Sequence, residues 1–158
     1  MSLLKRLGNG ALRIVLTAAH SALKSLWFLG RPKTFGAHAI ALTPQGKMVL
    51  VKLRYSPGWR IPGGGRPRNE DSVEAALREL REEIGMISHG EVRLAGDFDH
   101  EVDFKRDTAS LVIVRDVRYQ PRRWNWEVEQ ICEADPGALP KDLSPITARW
   151  IEELRPLL

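Results

Sequence analysis

The chain has 158 residues, of which 43% are hydrophobic and 28% are charged, and these values are typical of one folded domain with a single core. The only cysteine, Cys132, excludes an internal disulfide framework and fits a reducing, cytoplasmic setting. All 20 acidic residues lie from Glu70 onward, whereas half of the 24 lysines and arginines precede it. The N-terminal half is therefore predicted to be basic, which suits a phosphate-bearing substrate, nucleic acid or an anionic membrane without choosing among them.

Residues 1–31 are predicted to form a basic amphipathic helical extension, followed by one domain at residues 32–158. Apolar residues recur there at three- and four-residue steps and form a predicted stripe: Leu4, Leu7, Ala11, Ile14, Ala18, Ala22, Leu26 and Leu29. Charged residues interrupt the run of about 20 apolar residues that a membrane span needs. Three alternatives remain for residues 3–29: packing on the chain's own domain or self-association, peripheral contact with a membrane surface, or targeting. Arg31-Pro32 is expected to end the helix.

Beyond Thr34 the pattern changes from helical spacing to strands. Strands are predicted at Phe35–Leu42, Met48–Arg54, Trp59–Ile61, Val92–Phe98, Ala109–Val117 and near Trp126–Cys132. A helix is predicted to begin at Asp71 or Ser72 and to end at Gly85, and a last helix begins at Ser144-Pro145. Asp99–Asp107 is predicted to be a loop. These elements indicate an α/β fold of packed layers.

The helix that begins near Asp71 carries three acidic residues on one flank. At about 100° per residue, the apolar residues share a core face, and Glu79, Glu82 and Glu83 lie together beside it. Neighbouring like charges destabilise a helix, and a hard divalent cation would relieve that repulsion. The preceding run Gly63–Gly65 allows the backbone to approach a ligand closely. The alternatives are a solvated charged face and a plain glycine turn.

The segment from Gly64 to Met86 resembles the sequence box of the Nudix hydrolase family. That box reads Gly, five residues, Glu, seven residues, Arg-Glu, an aliphatic, any residue, Glu-Glu, any residue, Gly and an aliphatic. This chain matches every position with Gly64, Glu70, Arg78, Glu79, Leu80, Glu82, Glu83, Gly85 and Met86. The resemblance implies a Nudix-type α/β/α sandwich with a mixed central sheet. It also implies hydrolysis of a nucleoside diphosphate linked to another moiety, by attack of water on phosphorus.

The resemblance also implies roles for individual box residues. Glu79, Glu82 and Glu83 would bind Mg²⁺, or alternatively Mn²⁺, together with the carbonyl of Gly63. Glu82 or Glu79 would act as the base toward the attacking water, and Arg78 would orient a box glutamate. Structural roles in the box are implied for Gly64, Glu70 and Gly85, with Glu70 tying the loop to the helix.

Residues outside the box are candidates for contact with the substrate. Arg54, Arg60 and Arg66 surround the glycine run and would bind phosphate oxygens, unless they are only solvated loop charges. Trp126, two residues after Trp124, would stack on a nucleobase, or else the pair belongs to the core or an edge strand. Additional metal ligands or a base could come from Asp99, Glu101, Asp103, Asp107, Glu127 or Glu129.

The sequence favours one class of substrate but does not identify the substrate itself. Marks of the subfamilies that cleave ADP-ribose, dinucleoside polyphosphates, NADH or coenzyme A are not recognisable, so a small nucleotide diphosphate derivative is favoured. No stable nucleic-acid partner is expected. The two alternatives are a nucleotide-sensing module that does not cleave, and a pyrophosphohydrolase of RNA 5′ ends that uses the basic N-terminal half.

Overall fold

The structure is a computed structural model that describes residues 3–30, 33–102 and 105–158. Within these ranges the chain forms three α-helices, which are α1 (Leu3–Gly30), α2 (Ser72–Glu83) and α3 (Pro145–Leu154), and a 3-10 turn at Arg155–Leu157. The strands in the same ranges are β1 (Lys33–Ala41), β2 (Met48–Leu53), β3 (Ser56–Arg60), β4 (Gly63–Gly65), β5 (Met86–Ser88), β6 (Val92–Val102), β7 (Lys105–Val114), β8 (Arg118–Tyr119) and β9 (Val128–Ala134).

The central sheet is mixed, as predicted. Its strand order is β4-β1-β7-β6, with β1 parallel to β7 and antiparallel to β4, and β6 antiparallel to β7. A second, antiparallel sheet has the order β3-β2-β9, and β5 pairs with β8 as a short ribbon. The glycine run is therefore an edge strand of the central sheet, which fixes its position relative to β1.

Two apolar cores lie on opposite faces of the strands, because successive strand residues point to opposite sides. On β1, Ala37 and Ala39 pack in the core that contains α2, whereas Ile40 packs in the core that contains α3. Strands β2 and β7 divide their residues in the same way. The strands are thus layered between α2 and α3, which confirms the predicted α/β/α sandwich.

Helix α2 has the ends that the sequence predicts. The Asp71 side chain accepts hydrogen bonds from the amides of Val73 and Glu74, at 2.9 and 3.0 Å, and so caps the first turn. After the helix, Gly85 adopts φ +72°, the left-handed conformation that favours glycine. Ser144 caps α3, with Pro145 in the first turn. The helix that carries the glutamates, α2, therefore begins and ends at residues next to it in sequence, Asp71 and Gly85.

The prediction of a loop at Asp99–Asp107 is wrong for the described residues of that segment. Strand β6 continues to Val102, and β7 begins at Lys105. Cross-strand hydrogen bonds satisfy the acidic side chains, because Thr108 donates to Asp99 and Ser110 donates to Asp97, both at 2.6 Å. Asp103 lies outside the described residues. The short strands β4, β5 and β8 were not predicted either.

Helix α1 contacts the domain through a face other than the predicted apolar stripe. Among its described side chains, Leu12, Leu16 and His20 are partly buried, and the His20 ring lies 5.4 Å from the Tyr55 ring. Stripe residue Ile14 is 71% exposed. Packing of the stripe on the chain's own domain is therefore wrong for residues 10–23. No helix among the described residues is long and apolar enough to cross a membrane, and the expected helix end at Arg31-Pro32 falls outside them.

Candidate active site

Arg78 joins the loop before α2 to two glutamates of that helix. Its guanidinium forms a two-pronged ion pair with Glu70, with Nε–Oε1 and Nη2–Oε2 distances of 3.0 and 3.2 Å. The same side chain donates from Nη1 to Glu79 Oε1 at 2.7 Å and to Glu82 Oε2 at 3.4 Å. The hydrogen bonds from Arg78 lower the pKa of Glu70 below its ordinary value. The carboxylates of Glu70, Glu79 and Glu82 are thus arranged around the guanidinium of Arg78.

Glu79 and Glu83 are buried and face the same cavity as the glycine run. This cavity, about 530 Å³, also contacts Glu82 and Glu127. Glu83 Oε2 accepts a hydrogen bond from the Gly63 amide at 2.9 Å. Burial, opposed by that hydrogen bond and reinforced by the charges of Glu79 and Glu127, raises the pKa of Glu83 to about 8. Burial also raises the pKa of Glu79. The cavity therefore contains carboxyl groups whose ionised form the protein stabilises only partly.

The residues around this cavity fit a hard divalent metal. Two buried carboxylates without a full counter-charge are the oxygen donors that Mg²⁺ prefers. A Cβ on Gly64 would lie 2.9 Å from Glu79 Oε1, so only glycine leaves that carboxylate its space. Among the described residues, no three acidic, histidine or cysteine side chains already converge as a complete metal site. Glu82, 57% exposed and held by Arg78, would have to turn toward the cavity to be the third ligand.

Arg60 and Arg66 lie beside the glycine run, but Arg54 does not. Arg60 and Arg66 line a larger cavity of about 920 Å³ on the other side of that run. Arg66 also donates to the Glu70 carbonyl at 2.7 Å and lies over the Phe35 ring. Arg54 is buried, donates to the Asn125 carbonyl at 3.4 Å and lines neither cavity beside the glycine run. Its contacts support the loop that contains Asn125, and its predicted place at the glycine run is wrong.

The loop between β8 and β9 carries two exposed tryptophans, so the core alternative for this pair is wrong. Trp126 is 64% exposed, its ring lies 4.2 Å from that of Trp124, and both contact the acidic cavity. Asn125 between them donates to the Glu82 carbonyl at 2.9 Å and accepts from the Glu127 amide at 2.9 Å. Asn125 thus anchors the loop on α2, a role that its sequence position did not reveal.

The larger cavity contains histidines that the sequence analysis missed. His38 on β1 and His100 on β6 both line it, and their rings lie 4.8 and 5.2 Å from the Trp150 ring. Burial lowers the pKa of His38 to about 4, so this ring is neutral at physiological pH. Nδ1 of His100 is buried without a hydrogen-bond partner among the described residues. Single histidines on apolar strands have no diagnostic spacing, so only the fold brings them together.

Known proteins place this fold and site in one family. The sequence profile of the NUDIX domain matches residues 32–154, and the chain therefore belongs to the Nudix family. It is 37% identical over 57 residues to an RNA pyrophosphohydrolase of Hydrogenovibrio crunogenus, and these cover 36% of this chain and 34% of that protein. It is 42% identical over 52 residues to a putative 8-oxo-dGTP diphosphatase of Bacillus subtilis, covering 33% of this chain and 35% of that protein. The chain thus spans about a third of the length of these relatives.

A solved structure shows the same fold over most of the chain. The crystal structure of the MutT NUDIX hydrolase from Burkholderia pseudomallei superposes with a TM-score of 0.66 and 23% identity. The match covers 77% of this chain and 98% of that one. At this level of identity the likeness establishes the fold, and the chemistry has to be argued from the residues of the site.

Proposed function

We propose that this protein is a Mg²⁺-dependent hydrolase of the pyrophosphate linkage in a nucleoside diphosphate joined to another group. The observation that carries the proposal is the cavity in which buried Glu79 and Glu83 meet the Gly63–Gly65 run. The reaction would be attack of water on phosphorus. A cytoplasmic setting belongs to the same proposal, in agreement with the free Cys132.

Four groups would hold the metal: the carboxylates of Glu79, Glu82 and Glu83, and the carbonyl of Gly63, with Mn²⁺ as an alternative to Mg²⁺. A bound divalent metal supplies charge neutralisation at the phosphoryl oxygens and lowers the pKa of the attacking water. Glu82 or Glu79 would accept the proton from that water. Arg78 would keep Glu79 oriented through its 2.7 Å contact, and Glu70 would in turn hold Arg78.

The larger cavity would receive the group attached to the diphosphate. It adjoins Gly64 and Gly65, and its volume of about 920 Å³ suits a small nucleotide. Arg60 and Arg66 would bind phosphate oxygens at its edge. Trp126, on the opposite side of the glycine run, is an alternative stacking surface for a base.

Triphosphorylated RNA is the second candidate substrate. Matched relatives carry the name RNA pyrophosphohydrolase, and every charged residue before Glu70 is basic. An RNA 5′ end would extend from the cavity along that basic surface, and its binding would weaken steeply with salt. Cleavage of a small nucleotide would depend much less on salt, which separates the two candidates.

The proposal is tested by measuring phosphate and pyrophosphate release with Mg²⁺ from a panel of nucleotides and from triphosphorylated RNA. The double variant Glu82→Gln/Glu83→Gln is expected to lose at least about a hundredfold in turnover, because it removes two metal ligands. Glu74→Gln is the matched control, since Glu74 is exposed on the first turn of the same helix. Unchanged turnover in the double variant would contradict the assigned site. Nucleotide binding without any turnover in the wild type would instead identify a sensing module.

A further inference from the structure

Helix α1 presents an uncovered apolar face to the outside of the protein. Helical projection places Ala11, Ile14, Val15, Ala18 and Ala22 on one side, opposite the face of Leu12, Leu16 and His20 that meets the domain. These five residues, the outward apolar face, are all exposed, with Ile14 at 71% and Val15 at 63%. Exposed apolar side chains clustered on one face of a helix are typical of an interaction surface.

The charge of α1 favours an anionic partner for this face. The helix sequence contains Lys5, Arg6, Arg13 and Lys24 and no acidic residue, and no acidic residue occurs before Glu70. Self-association through this face would place two helices of net positive charge side by side without any acidic residue to pair with, which opposes it. A helix with an apolar face on one side, basic residues on the other and no acidic residue is a combination by which a helix lies in the surface of an anionic bilayer. The helix is also not apolar enough to cross one.

We propose that the outward apolar face of α1 docks the protein on an anionic lipid bilayer. The helix also borders the candidate active site. Leu12 lines a cavity of about 750 Å³ that reaches Glu83 and Trp126, and His20 lines the larger cavity beside the glycine run. Docking through the outward face would leave Leu12 and His20, on the other side of the helix, facing these cavities. The inference does not depend on the proposed hydrolase activity, because it rests on the exposure and charge of α1.

Co-sedimentation of the full-length protein with vesicles tests the docking. The wild type is expected to pellet with vesicles of phosphatidylcholine and phosphatidylglycerol, and to pellet less with phosphatidylcholine alone or at high salt. Ile14→Glu places a charge on the docking face and is expected to weaken binding by roughly tenfold. Ile87→Glu is the matched control, because Ile87 on β5 is equally exposed, at 69%, and this variant should bind like the wild type. Circular dichroism verifies that both variants are folded.

Three outcomes would overturn the proposal. One is a wild type that stays in the supernatant with the anionic vesicles. Another is equal binding by Ile14→Glu and the wild type. The third is a concentration-dependent dimer, seen by light scattering, that Ile14→Glu abolishes, since this would assign the face to a second copy of the chain. Release of phosphate from a soluble nucleotide, measured in parallel, should be the same in the wild type and Ile14→Glu.

Discussion

At the scale of single residues, Arg78 makes a set of hydrogen bonds that no other side chain could make. Its planar guanidinium bonds both oxygens of Glu70 and still reaches Glu79. A lysine carries the same charge but cannot form this two-pronged contact. We therefore expect Arg78 to be a positioning residue, which would act on the proposed reaction through the glutamates that it contacts.

Arg78→Lys and Glu70→Gln are each expected to lower kcat about tenfold, with little change in KM, because both release Glu79 from its position. The double variant should be no worse than either single one, since the residues act as one unit. Steady-state kinetics on the substrate found in the panel measures this. Arg81→Lys, at an exposed position of the same helix, is the control and should keep full activity. Additive losses in the double variant would show that Glu70 and Arg78 act separately.

His38 is expected to make the folded state sensitive to mild acid. Its pKa is lowered from 6.5 to about 4 by burial, against the opposing attraction of Asp107. The unfolded chain therefore takes up this proton first as the pH falls below 6.5, and the free energy of unfolding decreases until about pH 4. The slope from this one group is at most about 1.4 kcal/mol per pH unit.

Urea unfolding of the wild type and of His38→Gln across this interval measures the effect. The variant lacks the titrating ring, so its free energy of unfolding should fall less steeply with acid than that of the wild type. Identical slopes in the two proteins would show that another group, and not His38, carries the acid sensitivity. Carboxylates that titrate alike in the wild type and in His38→Gln contribute equally to both slopes, so the difference between the slopes reports on His38 alone.

The residues of the site differ in how far the sequence could reveal them. Glu79, Glu82 and Arg78 share one helix, so their spacing alone brings them together, and ion pairs join them in the structure. His38 and His100 lie on different strands, and their neighbours are decided by sheet register. Arg54 has the right charge for phosphate, but its burial against the Asn125 loop depends on pairing between distant segments. Local patterns predicted the first group only.

At the scale of elements, strand β4 shows how closely the glycine run must approach its neighbours. A Cβ on Gly63 would lie 2.5 Å from the Ala37 carbonyl oxygen and from the His38 ring, and Gly63 has a φ of +150°. A Cβ on Gly64 would instead meet only the end of the Glu79 side chain, at 2.9 Å. Glycine is required at position 63 because β1 lies so close, and at position 64 because the Glu79 carboxylate occupies the space of a side chain.

Gly63→Ala is expected to destabilise the fold by about 2 kcal/mol or more, because neither backbone nor ring can move away without breaking the strand pairing. Gly64→Ala is expected to change the free energy of unfolding by less than about 1 kcal/mol. It should nevertheless lower activity, since Glu79 must leave its contact with Arg78. Urea unfolding and kcat/KM, measured on both variants, separate the two effects. Equal losses of stability in both would contradict the distinct roles of the two glycines.

The helices were easier to predict than the strands for a physical reason. The ends of α2 and α3 are determined by their own caps, Asp71 and Ser144, which lie next to the turns that they satisfy. Strands β5 and β8 are only three and two residues long, and each forms by pairing with the other, as in the pairs Met86–Tyr119 and Ser88–Arg118, which lie far apart in sequence. The acidic residues of Asp99–Asp107 suggested a loop, but cross-strand hydroxyl groups satisfy them within a long hairpin.

At the scale of the whole molecule, a divalent metal should stabilise the fold. The pKa of Glu83 is raised to about 8, so the metal-free protein loses stability as the pH rises from the ordinary carboxyl range toward 8. Mg²⁺ at a hundred times its Kd should increase the free energy of unfolding by about 2.7 kcal/mol. The thermal midpoint is therefore expected to rise with Mg²⁺ and to fall again with EDTA.

Glu83→Gln provides the comparison for this prediction. Removing one of the buried charges should raise the thermal midpoint of the metal-free protein at pH 8. The rise of the midpoint on addition of Mg²⁺ should be smaller in this variant than in the wild type. Glu74→Gln should respond to Mg²⁺ like the wild type. A midpoint that rises equally in Glu83→Gln and the wild type would place the stabilising ion elsewhere.

The parallel pairing of β1 with β7 has a consequence for the synthesis of the chain. The register joins residues 73 positions apart, such as Thr34 and Asp107, so β1 leaves the ribosome long before its main partner exists. The whole box from Gly64 to Met86 is translated in the interval, while the sheet that positions the glycine run is incomplete. A nascent chain that ends between Met86 and Lys105 would therefore contain every residue of the box while β7, the parallel partner of β1, is still missing.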